Sequence, residues 1–197
     1  LLLLLITFLS HNRFYYSNTN YKCPKCNIIL ITADSLRADY LKPSTAPFLN
    51  ELSKRGYLYL NAISQSGSTE ESISSLFTSR FPYTDGAMHL KNGQSLAEIL
   101  RRNGYYTKAI VGHLHVKALF GFSKGFNEYD DNFEWIRNAT EITQLAISWL
   151  EDNHDKQPFF LWLHYREPHA PYLLPKSYLK LFHKPFSGKE RYHTYTL

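Results

Sequence analysis

Residues 27–33 read Asn-Ile-Ile-Leu-Ile-Thr-Ala, an unbroken apolar and β-branched run closed by Asp34. A strand with one wet face alternates apolar and polar residues. A strand without that alternation is covered on both faces, as in the middle of a parallel sheet. Pro158-Phe159-Phe160-Leu161-Trp162-Leu163 repeats the pattern and ends at His164-Tyr165. Tyr57 to Ile63 and Tyr105 to Val111 read as two further strands.

Helical patterns fall between these runs. Ser44 or Thr45 is expected to cap a helix with Pro47 in its first turn, an apolar face of Phe48, Leu49 and Leu52, and Gly56 as its stop. Thr69 is expected to cap a second helix, with Glu70 and Glu71 at its positive end and Ile73, Leu76 and Phe77 on one face. Ser95 caps a third, ended by Asn103-Gly104. Thr140 caps a fourth that runs to Trp149, a role weighed above glycosylation of the sequon Asn138-Ala139-Thr140. Strands and helices in alternation predict an α/β fold, a mostly parallel central sheet flanked by helices.

With 197 residues the chain can bury one good core. Its net charge of +5 is scattered, apart from Arg101-Arg102. That suits an anionic substrate or surface, and no nucleic-acid partner is expected. Residues 1–10 read as the end of a signal peptide or membrane anchor, being apolar as far as Leu9 except for Thr7. Residues 11–26 read as a tether, and 27–197 as the N-terminal part of a catalytic domain. Cys23 and Cys26 form one Cys-x-x-Cys without a second pair, so a local disulfide in an exported protein is expected rather than a four-ligand zinc site.

In parallel sheets, sites gather at the carboxyl ends of strands. Asp34, Thr69, the His113/His115 loop and the His164/His169 loop all follow strand patterns. A carboxylate there needs a partner, either a metal ion, a helix N-terminus or a cation such as Arg37. Thr69 at a helix N-terminus becomes a nucleophile only where a metal or base lowers its pKa. Pro168 and Pro171 hold His169 in one direction, so it can bind or protonate an ester oxygen.

These segments, in this order, resemble the sulfatase family of the alkaline phosphatase superfamily. Asn27 to Asp39 is similar to the family's opening strand with its metal-binding Asp. Ser75-Leu76-Phe77-Thr78-Ser79-Arg80-Phe81-Pro82 is similar to the tail of its nucleophile helix, which puts Thr69 at the nucleophile position. Gly104-Tyr105-Tyr106-Thr107 with Gly112-His113-Leu114-His115, then Gly125 to Asp130, and Phe159 to Tyr172 with its Pro-His-x-Pro loop complete the resemblance. It implies an alkaline phosphatase-like sheet, incomplete at the C-terminus. The family's second Asp is Ser35 here, its Arg is Ile73 and its Lys is His113. Family sulfatases oxidise Cys or Ser to formylglycine. The β-carbon of Thr69 already bears a methyl, so oxidation would stop at a ketone and no formylglycine is expected. Thr at this position resembles the phosphoglycerol-transferase and phosphodiesterase branches.

The sequence therefore predicts an extracytoplasmic, secreted or membrane-anchored hydrolase of sulfuric or phosphoric esters. Asp34 and Thr69 would hold one divalent ion (Ca, Mn, Mg or Zn). Thr69, His169 and His115 would be catalytic, and His113 and His164 would bind substrate. The substrate would be a sulfated or phosphorylated glycan, lipid or small molecule. Two alternatives stand beside this: a phosphoglycerol- or phosphoethanolamine-type transferase, and a non-catalytic binder of anionic glycans or lipids.

Overall fold

The structure, a computed structural model, describes the backbone of residues 2–8 and residues 26–82, 90 and 93–170. Five strands form one sheet in the order β1-β2-β5-β3-β4, where β1 is Leu2–Phe8, β2 Asn27–Ala33, β3 Tyr106–Val111, β4 Glu128–Asp130 and β5 Phe159–Tyr165. Strands β2, β5, β3 and β4 are parallel, and β1 pairs antiparallel with β2 at the edge. The expected parallel α/β sheet is present.

Both continuous apolar runs are central strands. Strand β5 is buried from Phe159 to His164, as the absence of alternation requires. One side of the sheet packs Phe160 and Trp162 against Ile73 and Phe77 of α2 (Thr69–Thr78), with the Phe77 and Trp162 rings 4.7 Å apart. The other packs Phe159, Leu161 and Leu163 against Ile142, Ala146 and Trp149 of α4 (Ala139–Asp152). Side chains of this size, fully buried, each contribute about 1.5–3 kcal/mol.

Several local expectations are corrected. Tyr57 to Ile63 forms no strand; Tyr57 is 92% exposed and Ile63 83%, so the run has apolar pattern but no ladder partner among the described residues. Helix α1 (Pro47–Ser53) has Pro47 at its start as expected, but Ala46 is the cap residue and Lys54, not Gly56, ends it. The Thr45 hydroxyl instead donates to the carbonyls of Tyr40 and Lys42. Ser68 rather than Thr69 precedes α2, and Asn138 rather than Thr140 caps α4 by accepting from the Glu141 N–H at 2.9 Å. Ser95 caps α3 (Leu96–Arg102) as expected, in a reciprocal capping box with Glu98.

Residues 9–25, with Cys23 and most of the expected tether, and Pro171 and Tyr172 lie outside the described residues. Cys26 is disulfide-bonded. Among the described residues no helix is long and apolar enough to cross a membrane.

Candidate active site

The carboxyl ends of β2, β5 and β3 carry the site. In the parallel ladder Thr32 pairs with His164, and His164 with Val111, so three strands end side by side. Asp34 follows β2 directly, its N–H bonded to the Tyr165 carbonyl at 2.9 Å. His113 follows β3 by way of Gly112, whose N–H bonds to the His164 carbonyl at 3.0 Å. Any side chain at Gly112 would place its Cβ 2.6 Å from Ile142 Cδ1 and 2.8 Å from the Arg137 carbonyl. Only glycine lets α4 close on the strand end there.

Thr69 is the first residue of α2. A network of Ser64, Ser66 and Ser72 fixes the turn before it: Ser72 Oγ donates to the Ser66 carbonyl at 2.6 Å and lies 2.7 Å from Ser64 Oγ. The Thr69 hydroxyl does not cap its own helix. It donates to Asp34, 3.1 Å to Oδ1 and 2.9 Å to Oδ2. The backbone N–H groups of the first helical turn have no partner within the helix, which suits an anion beside Thr69.

An open cleft of about 250 Å³ is lined by Asp34, Ser35, Gly67, Ser68, Thr69, His113, His115 and His169. His115 stands at its mouth with Nδ1 2.6 Å from Glu70 Oε1, an ion pair if the ring is protonated. The His113 ring centroid is 5.0 Å from that of His115 and 5.6 Å from that of His169. His169 is half-buried, its N–H bonded to the Arg166 carbonyl at 2.9 Å. Arg37, offered above as a partner for Asp34, turns away and pairs with Asp39 at the surface. Ile73 is fully buried in the core, so α2 offers no cation where the family has Arg.

His164 is fully buried and sits behind the cleft rather than in its lining. Its Nδ1 is 2.7 Å from Thr32 Oγ1, while Nε2 has no hydrogen-bond partner. His113, His115 and His169 line the cleft and this ring does not. Burial pushes the His164 pKa down to about 4, against the pull of the Asp34 charge and with help from His113. Burial also raises the pKa of Asp34, but His113, His164 and Thr69 together outweigh it and hold the carboxyl below its ordinary value. His113 Nδ1 lies 3.1 Å from Asp34 Oδ2, within ion-pair distance but off the hydrogen-bond line.

One oxygen of Asp34 and one ring nitrogen each of His113 and His164 lie within 4.8 Å of one another. A buried carboxylate beside two buried imidazole rings, one with a nitrogen that has no hydrogen-bond partner, is a donor set that fits a divalent ion. The set was only partly expected: the sequence pointed to Asp34 and Thr69 for a metal, and the burial of His164 depends on strand register.

The family model described as sulfatase matches residues 26–195. Iduronate 2-sulfatase of Mus musculus is 24% identical over 205 residues, covering 79% of this chain and 37% of the relative. A solved structure in complex with its substrate D-glucosamine-2-N,6-O-disulfate superposes with a TM-score of 0.66 at 17% identity, covering 79% of this chain and 37% of the other. The lipoteichoic acid synthase LtaP from Listeria monocytogenes superposes with a TM-score of 0.60 at 19% identity, covering 77% and 43%. The chain thus spans well under half the length of the relatives it matches.

Proposed function

Because this chain belongs to the sulfatase family, we propose that it is the N-terminal part of a metal-dependent enzyme that cleaves sulfuric or phosphoric esters with Thr69 as nucleophile. One observation carries the reading: the Thr69 hydroxyl stands at the start of α2 and donates to both oxygens of Asp34. A divalent ion held at Asp34 would supply charge that lowers the hydroxyl pKa and draws electron density from the ester.

Thr69 Oγ1 gives its proton to solvent and attacks phosphorus or sulfur. A bond forms to Oγ1, the bond to the ester's alcohol oxygen breaks, and the alcohol leaves with a proton. His169 or His115, both lining the cleft, supplies that proton. N–H groups of the first turn of α2, which have no partner within the helix, would meet the negative charge of the ester oxygens. Water then displaces Thr69; an acceptor alcohol in place of water makes the same site a transferase.

The relative's name supports a sulfated sugar ester as one substrate class. Chemistry at Thr69 favours phosphorus, since this residue gives no aldehyde and a direct alkoxide attack is what remains. The full-length protein assayed on an aryl sulfate and an aryl phosphodiester with added divalent metals should favour the phosphodiester. Faster turnover of the sulfate would sink the phosphorus preference.

Ser35, Ile73 and His113 replace three groups expected from the resemblance, and this favours a second reading, a non-catalytic binder of anionic glycans or lipids. Unchanged phenotype and metal content in Thr69→Ala would support it. In both readings the protein works outside the cytoplasm, as the disulfide at Cys26 and the apolar leader pattern suggest. The strand pairing of Leu2–Phe8 competes with a leader role, and N-terminal sequencing of the exported protein decides between them.

A further inference from the structure

The buried wall of the cleft is short of one positive group. His164 Nε2 is without a hydrogen-bond partner in a fully buried ring, and the buried His113 ring has Nδ1 3.1 Å from Asp34 Oδ2, its one close polar contact among the described residues. Both rings adjoin Asp34, which can only accept hydrogen bonds when ionised. Such groups are not left together in a protein interior without compensation.

The neighbours of His164 leave room for a proton on its Nδ1. Trp162 Nε1, always a donor, gives its proton to Thr32 Oγ1 at 3.0 Å. The Thr32 hydroxyl has the Leu163 carbonyl 3.4 Å away for its own proton. Thr32 Oγ1 is then free to accept from His164 Nδ1 at 2.7 Å. In that tautomer Nε2 carries an unused lone pair. A ring held by an N–H to an oxygen on one side and bare on the other is how metal-ligating histidines are oriented.

We infer that Asp34, His113 and His164 form a nitrogen-rich cation site, and that its two imidazoles select zinc or a similar borderline transition ion over calcium and magnesium. Calcium and magnesium take oxygen donors, whereas imidazole suits zinc. His113 thereby acquires a role that a lysine at this position, being a cation itself, would not fill. The inference rests on the reading of Asp34 as a metal ligand, and it adds the two nitrogen donors and the ion class. Thr69 Oγ1, 2.9 Å from the same carboxylate, stands beside the ion.

The test uses the full-length protein, stripped with a chelator and dialysed against zinc in the presence of a hundredfold excess of calcium and magnesium. Bound metal is counted by mass spectrometry, and cobalt(II) substitution reports nitrogen ligation by its visible spectrum. Wild type should retain zinc and show an intense cobalt band. His113→Lys and Thr32→Val, one removing a donor and the other the acceptor that orients His164, should each weaken zinc binding by about 10- to 100-fold. Circular dichroism confirms that both variants fold, and a failed fold in one leaves the other to decide. Preference for calcium or magnesium, or zinc binding unchanged in both variants, overturns the inference. Neither result touches Thr69 as nucleophile. Conversely, a Thr69→Ala protein that keeps full ester cleavage while zinc binding still depends on His113 would overturn the proposed function and leave the site standing.

Discussion

Thr69 and Asp34, thirty-five residues apart in sequence, are joined by one hydroxyl that reaches both oxygens of one carboxylate, at 3.1 and 2.9 Å. The contact ties the start of α2 to the end of β2. It also explains why Ser68, not Thr69, occupies the cap position: the hydroxyl that would have capped the helix is turned into the cleft.

Gly112→Ala should destabilise the protein by about 1–3 kcal/mol, the usual cost of forcing a methyl into a filled space. The added carbon meets Ile142 and the Arg137 carbonyl well inside contact distance. Chemical denaturation measures the loss, and activity should fall with it because His113 is the next residue.

Arg137 is 3% exposed and its guanidinium bonds to Asp130 Oδ1 at 2.7 Å, Glu141 Oε1 at 3.0 Å and the Asn132 carbonyl at 2.9 Å. Arg137→Ala leaves a partly buried Asp130 without its cation and should cost about 1–3 kcal/mol. The same denaturation experiment reads this. A loss below 1 kcal/mol would mean the pair adds little beyond its own desolvation.

Stability of the metal-free protein should fall as pH drops from 6.5 to 4. Burial depresses the folded-state pKa of His164 to about 4, from the ordinary histidine value of 6.5. Above 6.5 both folded and unfolded forms are neutral, and the full stability is present. Below it the unfolded chain takes up the proton first, so folding weakens until the folded ring titrates as well. At roughly 1.4 kcal/mol per unit the loss approaches about 3 kcal/mol. Asp34, also lowered, takes stability away in the same direction at still lower pH. Thermal melts across this range should shift downwards, and His164→Gln should flatten the slope above pH 4.

His115→Ala should lower kcat more than KM if this ring protonates the leaving alcohol. Glu70→Gln should have a smaller effect in the same sense, because Glu70 holds the His115 ring through Nδ1. Initial rates on an ester with a good leaving group should be nearly insensitive to both changes, since such an alcohol leaves without a proton.

Much of the candidate site is legible in the amino-acid sequence. Asn27–Ala33 and Phe159–Tyr165 stand out because a fully covered strand needs no polar alternation, and Asp34 announces itself by ending one of them. The Tyr57 to Ile63 run is also mostly apolar but has no ladder partner among the described residues, and composition cannot supply one. Strand β4 is three residues without an apolar run, too short to register as a pattern. The burial of His164 is hidden for a different reason. Its burial follows from the register that sets it between Thr32 and Val111, and register is a property of the sheet rather than of one segment.

The central claim, that Thr69 is the nucleophile, is tested most directly by trapping. The full-length protein is mixed with an aryl phosphodiester, quenched in acid during turnover and digested, and the mass of every peptide is measured. The account predicts a phosphoryl adduct on the peptide carrying Thr69, absent in Thr69→Ala, with turnover in that variant reduced by roughly a thousandfold or more. An adduct on another residue, or undiminished turnover in Thr69→Ala, would contradict it.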